Sequence, residues 1–327
     1  MAKQTREQRI ELARTRLIRV VSSHSVATMR TLEMKISDAG PFNQRIDPHI
    51  LTEARNQLLA ESILQRRQPG VGKPTYFFLG NTAWEGHADR YAVLDAIQTE
   101  LAQQAVTMRT GQALEIAVFR TMTAAQQNFF GRFLDLTKHG DDQLYRKVEP
   151  PNYIGDNVMP DDRLLDFMVC HGGVWAGIEC KNVREWLYPD RREVKDLLDK
   201  AVALNCVPVL IARRIHPSTF LLFNKCGIII HQTYNQRLAN ADADLAARAR
   251  AKDTLGYFDM KLGNDPDDRL TKFLTINLPA VLPEARQKFE EYYDLLWEYA
   301  FNGMSYEAFA ARVRRRYNGG PEDFDPD

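Results

Sequence analysis

The chain has 327 residues, 44% of them apolar, and no run near the roughly 18 apolar residues of a membrane span, which argues for packed cores and against a membrane-spanning chain. Its first residues lead into a charged amphipathic segment and not a signal-peptide core, so the expected location is the cytoplasm. The zero net charge hides an asymmetry: residues 1–80 hold 13 Lys/Arg against 7 Asp/Glu, leaving a net −6 for the rest, which suits a polyanion-binding segment joined to a metal-binding or catalytic one. Cys170, Cys180, Cys206 and Cys226 include no Cys-x-x-Cys pair and read as reduced core thiols.

Ile10, Ala13, Leu17, Val20 and Val21 fall at helical spacing among arginines, predicting a first amphipathic helix over residues 6–23 and a second over 26–37. Asp47-Pro48 reads as the N-cap and first-turn proline of a third helix reaching Ala60. Two short strands, 62–67 and 75–79, flank a Pro/Gly turn that carries Lys73. Three helices and a basic hairpin resemble a winged helix-turn-helix. That resemblance implies DNA contact by Gln44, Arg45, His49, Thr52, Arg55 and Asn56, just before and along the third helix, and by Arg66, Arg67 and Lys73 on the wing.

Residues 87–127 are again helical in pattern, and 128–160 are weakly patterned, with a strand expected over 144–148. Two apolar runs then flank Gly172-Gly173, the signature of a hairpin. If those glycines are the central residues of a primed turn, Val169 faces Ala176 and Asp166 faces Glu179, with Lys181 on the same face and Phe167, Val169, Val174, Ala176, Ile178 and Cys180 on the other. Opposed carboxylates repel unless a cation lies between them, and Mg²⁺ prefers a few carboxylate oxygens. Downstream, Asp190 with Glu193 reads as a capping box opening a helix, followed by a strand at 207–212, a short helix at 217–225 and a strand at 228–231. Arg213 and Arg214 follow a core strand and either touch a phosphate or are solvated, as do Asn182, Arg184, Arg191 and Arg192. Two more helices with aromatic faces are expected over 280–317, then a disordered tail over 318–327.

Asp166 on one strand and Glu179-Cys180-Lys181 on the next resemble the signature of the PD-(D/E)XK, or restriction endonuclease-like, nuclease superfamily, over residues 110–235. Leu165 stands where the signature has proline. The resemblance implies an α/β fold: a mixed-sheet core flanked by helices over 81–240, preceded by the winged-helix-like domain at 1–80 and followed by a helical extension at 241–317. It implies that Asp166 and Glu179 hold the metal, that Glu115 on the preceding helix completes its shell, and that Lys181 positions the nucleophile. The expected activity is Mg²⁺-dependent DNA endonucleolysis of a restriction or phage-defence kind, with Mn²⁺ able to substitute and no organic cofactor. The expected partners are DNA and a second copy of the chain, with the aromatic C-terminal helices as dimer surface. The rival reading is a DNA-binding regulator or adaptor whose nuclease-like core is inactive.

Overall fold

The computed structural model describes residues 4–39, 45–138 and 140–320 and divides into two units, residues 1–107 with 242–260 and residues 108–241 with 261–327. These limits differ from the sequence-based ones at 80 and 240. The difference is tertiary: the helix Ala243–Arg250 returns to the first unit, where Arg248 pairs with Glu100 at 2.7 Å. Gln44 and residues 321–327 of the expected tail lie outside the described residues. Among the described residues no helix is long and apolar enough to cross a membrane.

In the first unit, α1 (Arg6–His24) opens on a capping box in which the Thr5 hydroxyl accepts the Gln8 N–H and the Gln8 side chain accepts the Thr5 N–H. The expected second helix is shorter than its spacing suggests. Ala27 and Thr28 form β1 and pair with Phe77 and Tyr76, and only Met29–Glu33 is α-helical (α2), passing into a π-helical turn at Met34–Asp38. Helix α3 (Pro48–Ala60) begins at its proline, but Asp47 makes no side-chain cap, because its carboxylate takes the Arg9 guanidinium at 2.7 Å instead. Strands β2 (Leu64–Arg67) and β3 (Tyr76–Leu79) complete an antiparallel sheet of order β1-β3-β2. Ile10, Leu17, Val21, Leu51, Leu58 and Phe77 fill the core between helices and sheet, and α4 (Ala88–Leu101) follows.

The second unit is mixed α/β. After α5 (Gln104–Ala124) come β4 (Phe129–Phe130), β5 (Arg132–Phe133), β6 (Lys147–Val148) and the small hairpin β7 (Tyr153–Ile154) and β8 (Asn157–Val158). Of the strand expected over 144–148, only Lys147 and Val148 pair, with Phe133 and Arg132. The main sheet joins β9 (Phe167–His171), β10 (Val174–Lys181), β11 (Val207–Ala212) and β12 (Ile229–Gln232), with α6 (Arg192–Ala203) and α7 (Pro217–Lys225) as crossovers. Its order is β12-β11-β10-β9-β4; β10, β11 and β12 are parallel, whereas β9 and β4 run antiparallel to their neighbours.

Alternation along the strands divides the core into two layers. Phe167, Val169, Ala176, Ile178 and Cys180 face Leu114, Ala117, Val118 and Met122 of α5, as the period-two reading requires. Leu210 and Ala212 face Val194, Leu197, Leu198 and Ala201 of α6. Helix α6 starts later than the sequence suggests: its N-cap is Arg191 with no side-chain cap, and Glu193 pairs with Arg191 at 3.0 Å. The C-terminal region holds three helices, Leu278–Glu291, Tyr293–Phe301 and Tyr306–Tyr317, where two were expected. Much of their aromatic face is turned inward: Phe289, Tyr292, Leu296, Phe309 and Val313 are buried in the α6-side core, while Trp297, Phe301 and Tyr317 are exposed.

Gly227 ends α7 with φ +78°, and a Cβ there would stand 2.2 Å from the Ala285 carbonyl and 2.5 Å from the Phe289 nitrogen. Gly227→Ala is therefore expected to destabilise the chain by about 2–4 kcal/mol, from left-handed strain and steric conflict with backbone together. Urea denaturation checks this, and a loss below about 1 kcal/mol would show that the C-terminal helix yields easily.

Candidate active site

Gly172 and Gly173 have φ of +57° and +81°, the two positive values a primed two-residue turn requires. The register follows as expected for five pairs, from Val174↔His171 to Ile178↔Phe167. The sixth is not made. The sequence-based picture of Asp166 as the ladder partner of Glu179 is corrected: the Asp166 N–H donates to the Ile178 carbonyl, and its carboxylate accepts the Cys180 N–H at 2.7 Å. The side chain thus takes the strand hydrogen bond, which anchors the carboxylate between Glu179 and Lys181.

Glu179 is 1% exposed, and each of its oxygens takes an ammonium group: Oε2 from Lys181 at 2.7 Å and Oε1 from Lys200 of α6 at 2.6 Å. Lys200 also reaches Asp196 at 2.8 Å, and Asp196 in turn accepts Arg163 at 3.2 Å. On the other side of Asp166, Lys147 of β6 donates to Glu115 of α5 at 2.8 Å, to Glu149 at 3.1 Å and to Asp166 at 3.2 Å. The structure therefore brings Asp166, Glu115, Glu179 and Lys181 into one partly buried network, as the sequence reading grouped them, and adds Lys147 and Lys200, which that reading missed. Lys147 gave little signal, since it sits on a two-residue strand in weakly patterned sequence. Lys200 had one: with Asp196 it forms an i,i+4 pair beside the apolar stripe of α6.

The electrostatics show how close these charges are. Burial and the Asp166 charge raise the Glu115 carboxyl to about 7, against the pull of Lys147. The same two causes, in the same order, raise Glu179. Burial opposes the charge on Lys147, Lys181 and Lys200, yet the surrounding carboxylates hold all three ammonium groups above their ordinary range. Asp166 is the shared neighbour of two carboxyl groups that its charge makes reluctant to ionise. As the side chains stand, no group of three His, Cys, Asp or Glu among the described residues is arranged to hold a metal ion. The donor chemistry is nevertheless that of a hard divalent cation: all three acids offer oxygen, and their mutual repulsion would be relieved by such an ion.

The flanking candidates have structural partners. Asn182 is buried, donating to the Thr110 and Arg237 carbonyls and accepting the Arg237 N–H. Arg213 and Arg214 are not solvated; they are 2% and 7% exposed, Arg213 donating to the Arg184 carbonyl and Arg214 lying against Trp186 and Tyr234. Arg184 is buried beside Gln236, Arg191 pairs with Glu193, and Arg192 is exposed. All four cysteines are free thiols.

In the first unit, the nine residues singled out for DNA contact, apart from Gln44, divide by exposure. His49, Asn56, Arg66 and Arg67 are exposed; Arg45, Thr52, Arg55 and Lys73 are half-buried. Arg55, Arg66 and Lys73 line one open groove of about 770 Å³, which also takes in Arg30, a residue the sequence reading passed over. Lys73 does not extend from the hairpin tip but folds onto α4, at 2.9 Å from both Asp95 and Thr99. Arg67 lies over the Trp84 ring at 5.1 Å.

No protein-family model, curated protein or solved structure matches this chain.

Two outcomes follow from the buried network. Lys200→Met removes one of the two cations on Glu179 and is expected to destabilise the chain by about 2–4 kcal/mol in urea denaturation, because a buried carboxylate loses a partner; a change under about 0.5 kcal/mol would mean that Lys181 alone suffices. The Glu115 carboxyl rises on folding from an ordinary 4.5 to about 7, so the folded chain binds the extra proton and this group's contribution to stability falls as pH rises through that window. Glu115→Gln should therefore gain on the parent chain between pH 5 and pH 8 by on the order of 1–3 kcal/mol. Parallel pH profiles of the two would contradict the shift.

Proposed function

We propose that this chain is a divalent-cation-dependent DNA endonuclease of the restriction endonuclease-like type, with a winged helix at its N-terminus. The observation that carries the reading is the Asp166 carboxylate bonded to the Cys180 N–H, between Glu179 and Lys181, with Glu115 brought alongside from α5. The sheet order β4-β9-β10-β11-β12, with α5 on one face and α6 on the other, supports that assignment. The helix order and the β1-β3-β2 sheet of the first unit, with a basic groove beside α3, support the winged helix and DNA as partner.

Asp166, Glu179 and Glu115 would hold Mg²⁺, with Mn²⁺ able to substitute. Such a cation supplies Lewis-acid polarisation of the phosphate and a more acidic bound water. The chain's own part is positional. Asp166 is held by backbone, Glu179 by two lysines, and Lys181 stands beside Glu179 with a fixed ammonium that orients a water for attack on phosphorus and stabilises charge on the phosphate oxygens. Hydrolysis then leaves one phosphate monoester and one hydroxyl. The same network also favours a second reading, a DNA-binding adaptor with an inactive core, because both Glu179 oxygens are engaged by ammonium groups.

Plasmid nicking with Mg²⁺ or with chelator separates the two. The nuclease is expected to break DNA only with the cation, and Lys181→Ala should lose at least about 100-fold in rate while keeping its DNA affinity, a loss typical of removing one transition-state contact. Full cleavage by that variant would remove the mechanism, and binding without breaks by the parent chain would leave the adaptor.

A further inference from the structure

Beyond the ends of the three parallel strands, rings and guanidinium groups alternate. Lys181, Ala212 and Gln232 are aligned partners at the ends of β10, β11 and β12. Arg214 stands two residues past Ala212, and Tyr234 two past Gln232. The Tyr234 ring carries two cations: Arg214 lies 4.4 Å and Arg269 4.3 Å from its centroid, and Arg214 is also 5.9 Å from the Trp186 ring. Tyr234 is fixed in turn. Its backbone is left-handed, with φ +62°, and the Thr233 and Tyr234 N–H groups donate to the Ala212 and Arg213 carbonyls at 2.9 and 3.1 Å.

The two guanidinium groups differ in access. Arg214 is 7% exposed and backs the ring from within, whereas Arg269 is exposed. Arg269 donates once to the Gln232 carbonyl at 3.3 Å, and stacking occupies its face and not its in-plane donors. Tyr234 follows β12 and Lys181 ends β10, so the ring and the lysine stand at the same end of the sheet, two strands apart.

We propose that Arg269, seated on Tyr234 and backed by Arg214, is a phosphate clamp that grips the nucleic-acid backbone at the end of the sheet where Lys181 stands, away from the bond held at Lys181. The proposal rests on the phosphodiesterase reading of the carboxylate site and adds to it a contact on the substrate strand.

The test uses the full chain, a short fluorescent DNA duplex and no divalent cation, with affinity measured by anisotropy between 50 and 200 mM salt. One lost phosphate contact lowers the salt slope by about 0.9, so Arg269→Ala should bind more weakly than the parent at 50 mM, and the deficit should shrink roughly threefold by 200 mM. Arg269→Lys is expected to keep the parent slope, and Tyr234→Leu to weaken binding in the same salt-dependent way. The exposed position of Arg269 makes its variants safe for folding, and repeating the series with Arg30→Ala and Arg66→Ala present removes the groove of the first unit from the signal. An Arg269→Ala slope equal to the parent's overturns the clamp, as does a parent chain that binds no duplex. A parent chain that never cuts DNA, yet loses slope with Arg269→Ala, overturns the nuclease reading and leaves the clamp standing.

Discussion

Glu179 lies inside the second unit with an ammonium group on each oxygen, and much of the surrounding architecture answers to that contact. An ionised carboxylate in a protein interior costs several kcal/mol unless paired and hydrogen-bonded. Lys181 comes from the same strand, two residues on, and needs only the strand period to reach it. Lys200 comes from the helix that crosses over to β11, so α6 must pack with Lys200 facing the sheet while Val194, Leu197, Leu198 and Ala201 fill the layer beside it. The charge of Glu179 and the packing of α6 therefore constrain each other.

Asp166 solves a second problem at the same place. The antiparallel ladder between β9 and β10 stops at Phe167↔Ile178, which would leave the Cys180 N–H without its strand partner. The Asp166 carboxylate supplies that partner, and it is held by backbone geometry instead of by a flexible contact. With Lys147 joining Asp166 to Glu115, the acids Glu115, Glu149, Asp166, Glu179 and Asp196 and the lysines Lys147, Lys181 and Lys200 form one network. Partly desolvated charges of this kind are costly to build, and each is offset here by its ion pairs.

The first unit works by a different balance. Its basic surplus is partly spent inside the unit: Arg9, Arg14 and Lys73 pair with Asp47, Glu61 and Asp95, and Arg55 is half-buried under Phe77 at 5.5 Å, its pKa lowered by burial and by Arg66. Arg30, Arg55, Arg66 and Lys73 nevertheless line one groove, with Asp95 among them.

The hairpin, its register as far as Phe167↔Ile178 and its apolar face were legible in the sequence, because a Gly-Gly turn and a side-chain period of two leave one arrangement open. The grouping of Asp166, Glu179 and Lys181 was legible for the same reason, whereas Glu115 was placed with them by the family resemblance alone. Local signals failed where a distant partner outcompeted them: Asp47 left its cap for Arg9, Ala27 and Thr28 left a helix for β3, and the apolar aromatics of the last helices turned inward to α6. The return of residues 242–260 to the first unit, the insertion of Lys147 from a two-residue strand, and the second lysine on Glu179 could be decided only in three dimensions. Periodicity reports which face of an element is buried; it carries no information about which charge from elsewhere in the chain will meet it there.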